Sequence, residues 1–153
     1  MKRIEVKLSL PVVAPLLDVV KEVADALEKN LAAPQEAADT DPDFQETWIG
    51  DLLASQNADV KSLLALFDDE FFSDGVVAFD EENAEPIVRA CAAIRLRLRA
   101  HFLKGIDDDM LEGGDVELED LDEPVRKAFM CYLFLATVQE LIIQHLDSSI
   151  IES

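Results

Sequence analysis

The chain has 153 residues, half of them apolar, with 33 acidic residues against 13 basic ones and a net charge of −20. One domain, 1–153, is the simplest organisation at that length, and such a domain folds without needing a metal or a disulfide. A polyanion of this size repels the phosphates of nucleic acid and of anionic lipid, so neither is an expected partner.

Met1-Lys2-Arg3 is basic, but Glu5, Lys7 and Asp18 come soon after it and leave no apolar run of the signal-peptide kind. A cytoplasmic location is expected. Ile4, Val6, Leu8 and Leu10 alternate with Glu5, Lys7 and Ser9, the period of a half-buried strand over 4–8. Helical spacing then takes over. Val13, Leu16, Leu17, Val20, Val23, Ala24, Leu27 and Leu31 form one stripe, and Pro11 and Pro15 belong near its start, where a missing N–H does least harm. Residues 33–40 form a surface loop. Asp41 and Pro42 read as the cap and first residue of a second helix carrying Phe44, Trp48, Leu52 and Leu53. Asn57 reads as the cap of a third, with Val60, Leu63, Leu64 and Phe67 inward, ended by Ser73-Asp74-Gly75.

Residues 76–79 are β-type. Asp80 caps a fourth helix, with Pro86 in its first turn, which runs to about Lys104 and stops at Gly105. A second surface loop covers 105–122; Asp107 to Glu123 holds ten acids in seventeen residues. Asp122, Glu123 and Pro124 start the last helix, which reaches about Leu146. The stretch from Val6 to Leu17 resembles that from Val77 to Val88, which suggests that the two strands pair as an antiparallel ribbon and set their helices side by side.

Ala128 to Val138 is apolar all round, the pattern of a helix surrounded by others. Its longest uncharged run, 128–139, is short for a bilayer. Ile87, Cys91, Ile94 and Leu98 on the fourth helix recur as a packing seam. The expected fold is therefore mainly α: a bundle of about five helices around a buried C-terminal helix, with a short β ribbon from 4–8 and 76–79.

Arg89, Arg95, Arg97 and Arg99 place four of the thirteen cations within eleven residues. Arg97 points away from the seam, whereas Arg95 and Arg99 flank it and need a planar acceptor. The plainer expectation is an internal carboxylate, Glu140 of the last helix or an acid of the 107–123 loop. The sharper one is a bidentate site at Arg95, Arg99 and Arg97 for an anionic ligand or partner.

Other chemistry finds less support. Around Asp107 and Asp109 the EF-hand pattern fails, because the fifth position is Leu111 or Gly113. Cys91 and His101 on one helix lie roughly 15 Å apart, and Cys131 and His145 roughly 21 Å, so neither pair can share a zinc ion. The two cysteines read as small buried hydrophobes. No serine sits in a GxSxG context and no glycine-rich phosphate loop occurs, so no catalytic residue, cofactor or metal is expected. Phe67, Phe71, Phe72 and Trp48 form an aromatic set. Phe71 and Phe72 are adjacent: either one is exposed among Asp68, Asp69, Glu70 and Asp74, where it would suit a protein partner, or, more plainly, both pack.

Asp43-Phe44, Trp48, Asp51-Leu52, Leu63 to Phe67, Asp80 to Glu85, Arg89 to Arg99, and Tyr132 to Ala136 with Gln139-Glu140 resemble a bacterial domain-of-unknown-function family, the one numbered two thousand and seventeen. The resemblance spans most of the chain, departing from the family's Arg-Leu-x-Leu-Gly stretch with Arg97-Leu98-Arg99-Ala100. No activity is established for the family, so it transfers no functional residues. Its actinobacterial members are encoded beside the adaptor of the Clp protease, which implies a regulatory role in protein turnover. The expected function is a non-enzymatic interaction protein with a protein partner. The alternatives are a small-anion binder or enzyme using Arg95 and Arg99, and a structural homodimer whose tail, Ser148 to Ile151, carries exposed isoleucines.

Overall fold

A computed structural model describes residues 3–29, 42–103, 106, 119 and 121–145. Strand β1 (Arg3–Lys7) leads into helix α1 (Leu10–Leu27), followed by α2 (Pro42–Leu64), the short α3 (Asp69–Asp74), β2 (Val76–Asp80), α4 (Ala84–His101) and α5 (Glu123–His145). The protein is mainly α, and its two strands pair antiparallel from Arg3↔Asp80 to Lys7↔Val76. Their period places Ile4 and Val6 opposite Phe79 and Val77 on the core side.

The α1 stripe is buried from Val13 to Leu27; Leu31 lies outside the described residues. Pro11 is the second helical residue, but Pro15 stands a turn further in than expected. It removes the N–H that would meet the Pro11 carbonyl, a loss tolerated because the Ser9 carbonyl anchors the first turn through the N–H groups of Val12 and Val13. No glycine stops α1. Its last carbonyls are taken by α2 instead: the side-chain amide of Gln56 donates to the Leu27 carbonyl at 2.8 Å and that of Asn57 to the Glu28 carbonyl at 3.1 Å.

Two expectations are corrected here. Asn57 caps no third helix; α2 runs unbroken through it, and its side chain is spent on the end of α1. The third helix begins instead at Asp68, whose carboxylate accepts from the Phe71 N–H at 3.1 Å, and it ends at Gly75 with φ +74°. Asp80 likewise caps a turn rather than α4 itself, accepting from the N–H groups of Glu82 and Asn83 at 2.8 and 2.9 Å before the helix starts at Ala84. The Gly105 stop, most of both loops, the Asp41 cap and the 148–151 tail lie outside the described residues.

α4 touches α1, α2 and α5, and Ile87, Ala90, Cys91, Ile94 and Leu98 along it are fully buried. α5 packs on α4 and α1 through Ala128, Phe129, Cys131, Tyr132, Leu135, Val138 and Ile142. Each fully buried Leu, Ile or Phe here contributes about 1.5–3 kcal/mol. The outer side of α5 leaves Met130, Leu133 and Phe134 half-buried and Ile143 exposed. Among the described residues, α5 alone is long and apolar enough to cross a membrane by length and composition, a test that the core helix of a bundle also passes.

Candidate functional site

The arginine cluster resolves into two ties. At the α2–α4 contact, Asp59 sits on the inward side of α2, one turn from the fully buried Leu63. Its carboxylate meets the Arg89 guanidinium edge-on, Oδ2 accepting from Nε at 3.0 Å and Oδ1 from Nη2 at 2.9 Å. Arg89 Nη1 also donates to Glu85, one turn back, at 2.7 Å. The Asp59 hydrogen bonds, with the charges of Asp59 and Glu85, raise the arginine's pKa against a smaller opposing effect of burial.

At the α4–α5 seam the Arg95 guanidinium lies 4.4 Å from the centre of the Tyr132 ring, a cation–π arrangement. Arg95 Nη1 donates to the side-chain oxygen of Gln139 at 2.7 Å, and the Gln139 amide nitrogen donates to the Val88 carbonyl at 3.0 Å. The second bond fixes which way the amide points, so its oxygen must face the arginine. Arg99, one turn along α4, and Arg97 are both half-buried.

The carboxylate expected to meet Arg95 does not occupy a buried place. Glu140 is exposed and accepts from the Gln144 amide at 3.0 Å. One residue is about 100° of helix, which turns Gln139 toward α4 and Glu140 to solvent. Gln139 and Asp59 were both missed from sequence. Asp59 had a signal, an acid sharing a helix face with Leu63; Gln139 had none, being uncharged.

Cys91 and Cys131 are both fully buried free thiols, and burial pushes each up to about 12. They are therefore inert thiols at neutral pH. His101 and His145 are exposed. Among the described residues, no three His, Cys, Asp or Glu side chains gather as a metal site would need.

The aromatic set divides. Phe71 is fully buried, packed edge-on against Phe67 with ring centres 5.1 Å apart. Phe72 meets the Phe71 ring edge-on, with centres 5.2 Å apart, but is 52% exposed, so the expectation that both rings pack into the core is corrected. The cause is the length of α3: six residues leave one inward side, and Phe71 takes it. Asp68, Asp69, Glu70 and Asp74, the neighbours of Phe72 in sequence, are all exposed, Asp68 and Glu70 lining a separate cavity with Arg3 and Glu5. Beside the ring is a cleft of about 60 Å³ lined by Leu17, Lys21, Leu64, Phe67 and Phe72. Trp48, on α2, is 38% exposed.

The architecture is that of a helical bundle tied by two arginines and closed by a β ribbon, with its two thiols inside the core. Residues 2–146 match the model of the family described as a domain of unknown function, DUF2017, and the chain belongs to that family. No curated protein matches the chain. No solved structure matches it either.

Proposed function

We propose that the chain is a non-enzymatic cytoplasmic interaction protein with a regulatory role, linked to Clp-type protein turnover, and that it holds a basic, partly apolar segment of its partner at Phe72. The observation that carries this reading is the exposed Phe72 ring beside a mainly apolar cleft, on a short helix whose exposed Asp69 shares its face. An aromatic anchor supplies contact area at the centre of such a contact, and the acid selects against acidic competitors. The net charge of −20 supports it further, by drawing a cationic partner in from a distance.

A pull-down of the tagged protein from host lysate, at low and at physiological salt, tests the link, followed by titration with the purified Clp adaptor and protease. Retention of a Clp component that weakens with salt and is lost in Phe72→Ser supports the proposal. Beads that carry the bait alone, or a Clp component bound equally by Phe72→Ser, refute it.

Arg95 has its best account inside the chain. Gln139 and Tyr132 give Arg95 a cross-helix role, and no second functional reading is drawn from it.

A further inference from the structure

The ribbon has two outer edges, and they are finished differently. Leu8 N–H donates to the Gly75 carbonyl at 2.7 Å, which makes those two residues a bonded pair of the ladder. Bonded and unbonded pairs alternate along antiparallel strands. With the register running from Lys7↔Val76 to Arg3↔Asp80, Ile4 and Val6 turn their backbone groups toward β2, and Arg3, Glu5 and Lys7 turn theirs outward. On β2 the outward groups belong to Val76, Ala78 and Asp80.

Asn83 closes the β2 edge as a fragment of a third strand would. Its amide nitrogen donates to the Ala78 carbonyl at 3.2 Å, and its oxygen accepts from the Asp80 N–H at 2.9 Å. On the β1 edge, among the described residues, the outward backbone groups of Arg3, Glu5 and Lys7 meet no hydrogen-bond partner. The side chains along it are exposed and alternate in charge, positive, negative, positive. Arg3 and Glu5 pair within the strand only loosely, at 3.5 Å with 59% and 63% exposure.

We propose that the β1 edge pairs with β1 of a second copy about a twofold axis, giving a four-stranded antiparallel sheet. Outward residues must face outward residues, which leaves few registers. Glu5 opposite the partner's Glu5 also sets Arg3 against the partner's Lys7, like charge on like throughout. Arg3 opposite the partner's Arg3, or Lys7 opposite the partner's Lys7, has the same fault. Two registers set opposite charges together, each twice by symmetry: Glu5 opposite the partner's Arg3, or Glu5 opposite the partner's Lys7. The second is centred on Val6 and draws each strand toward the start of the other copy's α1, only three residues past Lys7. The first is centred on Ile4 and keeps the two helices further apart, so it is the register proposed. Cross-strand pairs of opposite charge stabilise a sheet and like pairs destabilise it. In this register residues 3–5 of each strand face one another, which buries little beside a standard interface, so the association is weak and concentration-dependent. Arg3 and Glu5 also line a cavity shared with Asp68 and Glu70, but the pairing uses the backbone edge of β1 and does not depend on Phe72.

Sedimentation velocity over a concentration series tests the pairing. The parent protein is expected to pass from monomer to dimer as concentration rises. Glu5→Arg sets arginine against arginine and weakens the dimer about tenfold or more. Adding Arg3→Glu to it restores opposite charges in the same register and recovers the dimer, whereas adding Lys7→Glu does not. These positions are exposed, and unchanged circular dichroism verifies that the variants fold. A parent that stays monomeric throughout overturns the proposal, as does a dimer indifferent to Glu5→Arg or one that Arg3→Glu fails to recover.

Discussion

Replacing Gly75 with alanine strikes the junction where α3 hands the chain to β2. The backbone there has φ +74°, and a Cβ would stand 2.6 Å from the Leu8 carbonyl oxygen. That obstacle is backbone, held by the bond from Leu8 N–H to the Gly75 carbonyl at 2.7 Å. The left-handed conformation costs an L-residue about 1–2 kcal/mol. Relieving the clash breaks or stretches that ribbon bond, at about 1 kcal/mol. The sum is about 2–3 kcal/mol, or roughly 4–12 °C in Tm for a domain of this size. Gly50 provides the internal comparison, since it lies on an exposed face of α2 with nothing within 4 Å of its added Cβ. There the same exchange stabilises by about 0.5–1 kcal/mol through helix propensity. Urea melts of the two variants should shift in opposite directions. A Gly75→Ala protein within about 0.5 kcal/mol of the parent, the range of an ordinary surface substitution, would refute the reasoning.

Other tests address the ties and the thiols. Arg89→Met strands the largely buried Asp59 carboxylate and should cost about 2–3 kcal/mol in a urea melt, between the values for exposed and buried pairs; adding Asp59→Leu should recover most of it. Gln139→Leu removes the acceptor from Arg95 and the donor from the Val88 carbonyl, an expected loss of about 1–3 kcal/mol. The folded protein holds Cys91 and Cys131 as thiols to about pH 12, against an ordinary value of 9.0. Their contribution is therefore complete below pH 9 and lost between 9 and 12, at about 1.4 kcal/mol per pH unit for each thiol; melts across that range should show a shallower fall in Cys91→Ala. At pH 8, a thiol reagent should label neither cysteine in the folded protein and both in urea.

Periodicity carried most of the architecture. The alternation from Ile4 to Leu10 found β1, the 76–79 run found β2, and the stripes of α1 and α4 were buried as spaced. What failed was local chemistry put to tertiary use. Asn57 has the preferences of a cap, and it does cap, but it caps the end of a different helix. Asp68 starts α3 inside a segment read as one continuous helix from Asn57 to Ser73, because a six-residue helix shows less than two turns of pattern. Within the arginine cluster, the burial of Arg95 was legible and its partner was not. A charge invites a search for the opposite charge, while the structure answers with an amide oxygen and an aromatic face. Arg89 and Asp59 are thirty residues apart, a distance at which spacing gives no signal.

The ribbon joins the first strand to residues 76–80, which sets an order on how the chain is made. β1 leaves the ribosome ahead of β2 and cannot pair with it until roughly seventy more residues have followed. At about 5–20 residues per second that interval is about 4–14 s, far longer than the microsecond within which a helix forms. α1, α2 and α3 therefore have time to form while β1 is still unpaired. An extension fused ahead of Arg3 would stand beside that waiting strand throughout, so tags for this protein are better placed elsewhere.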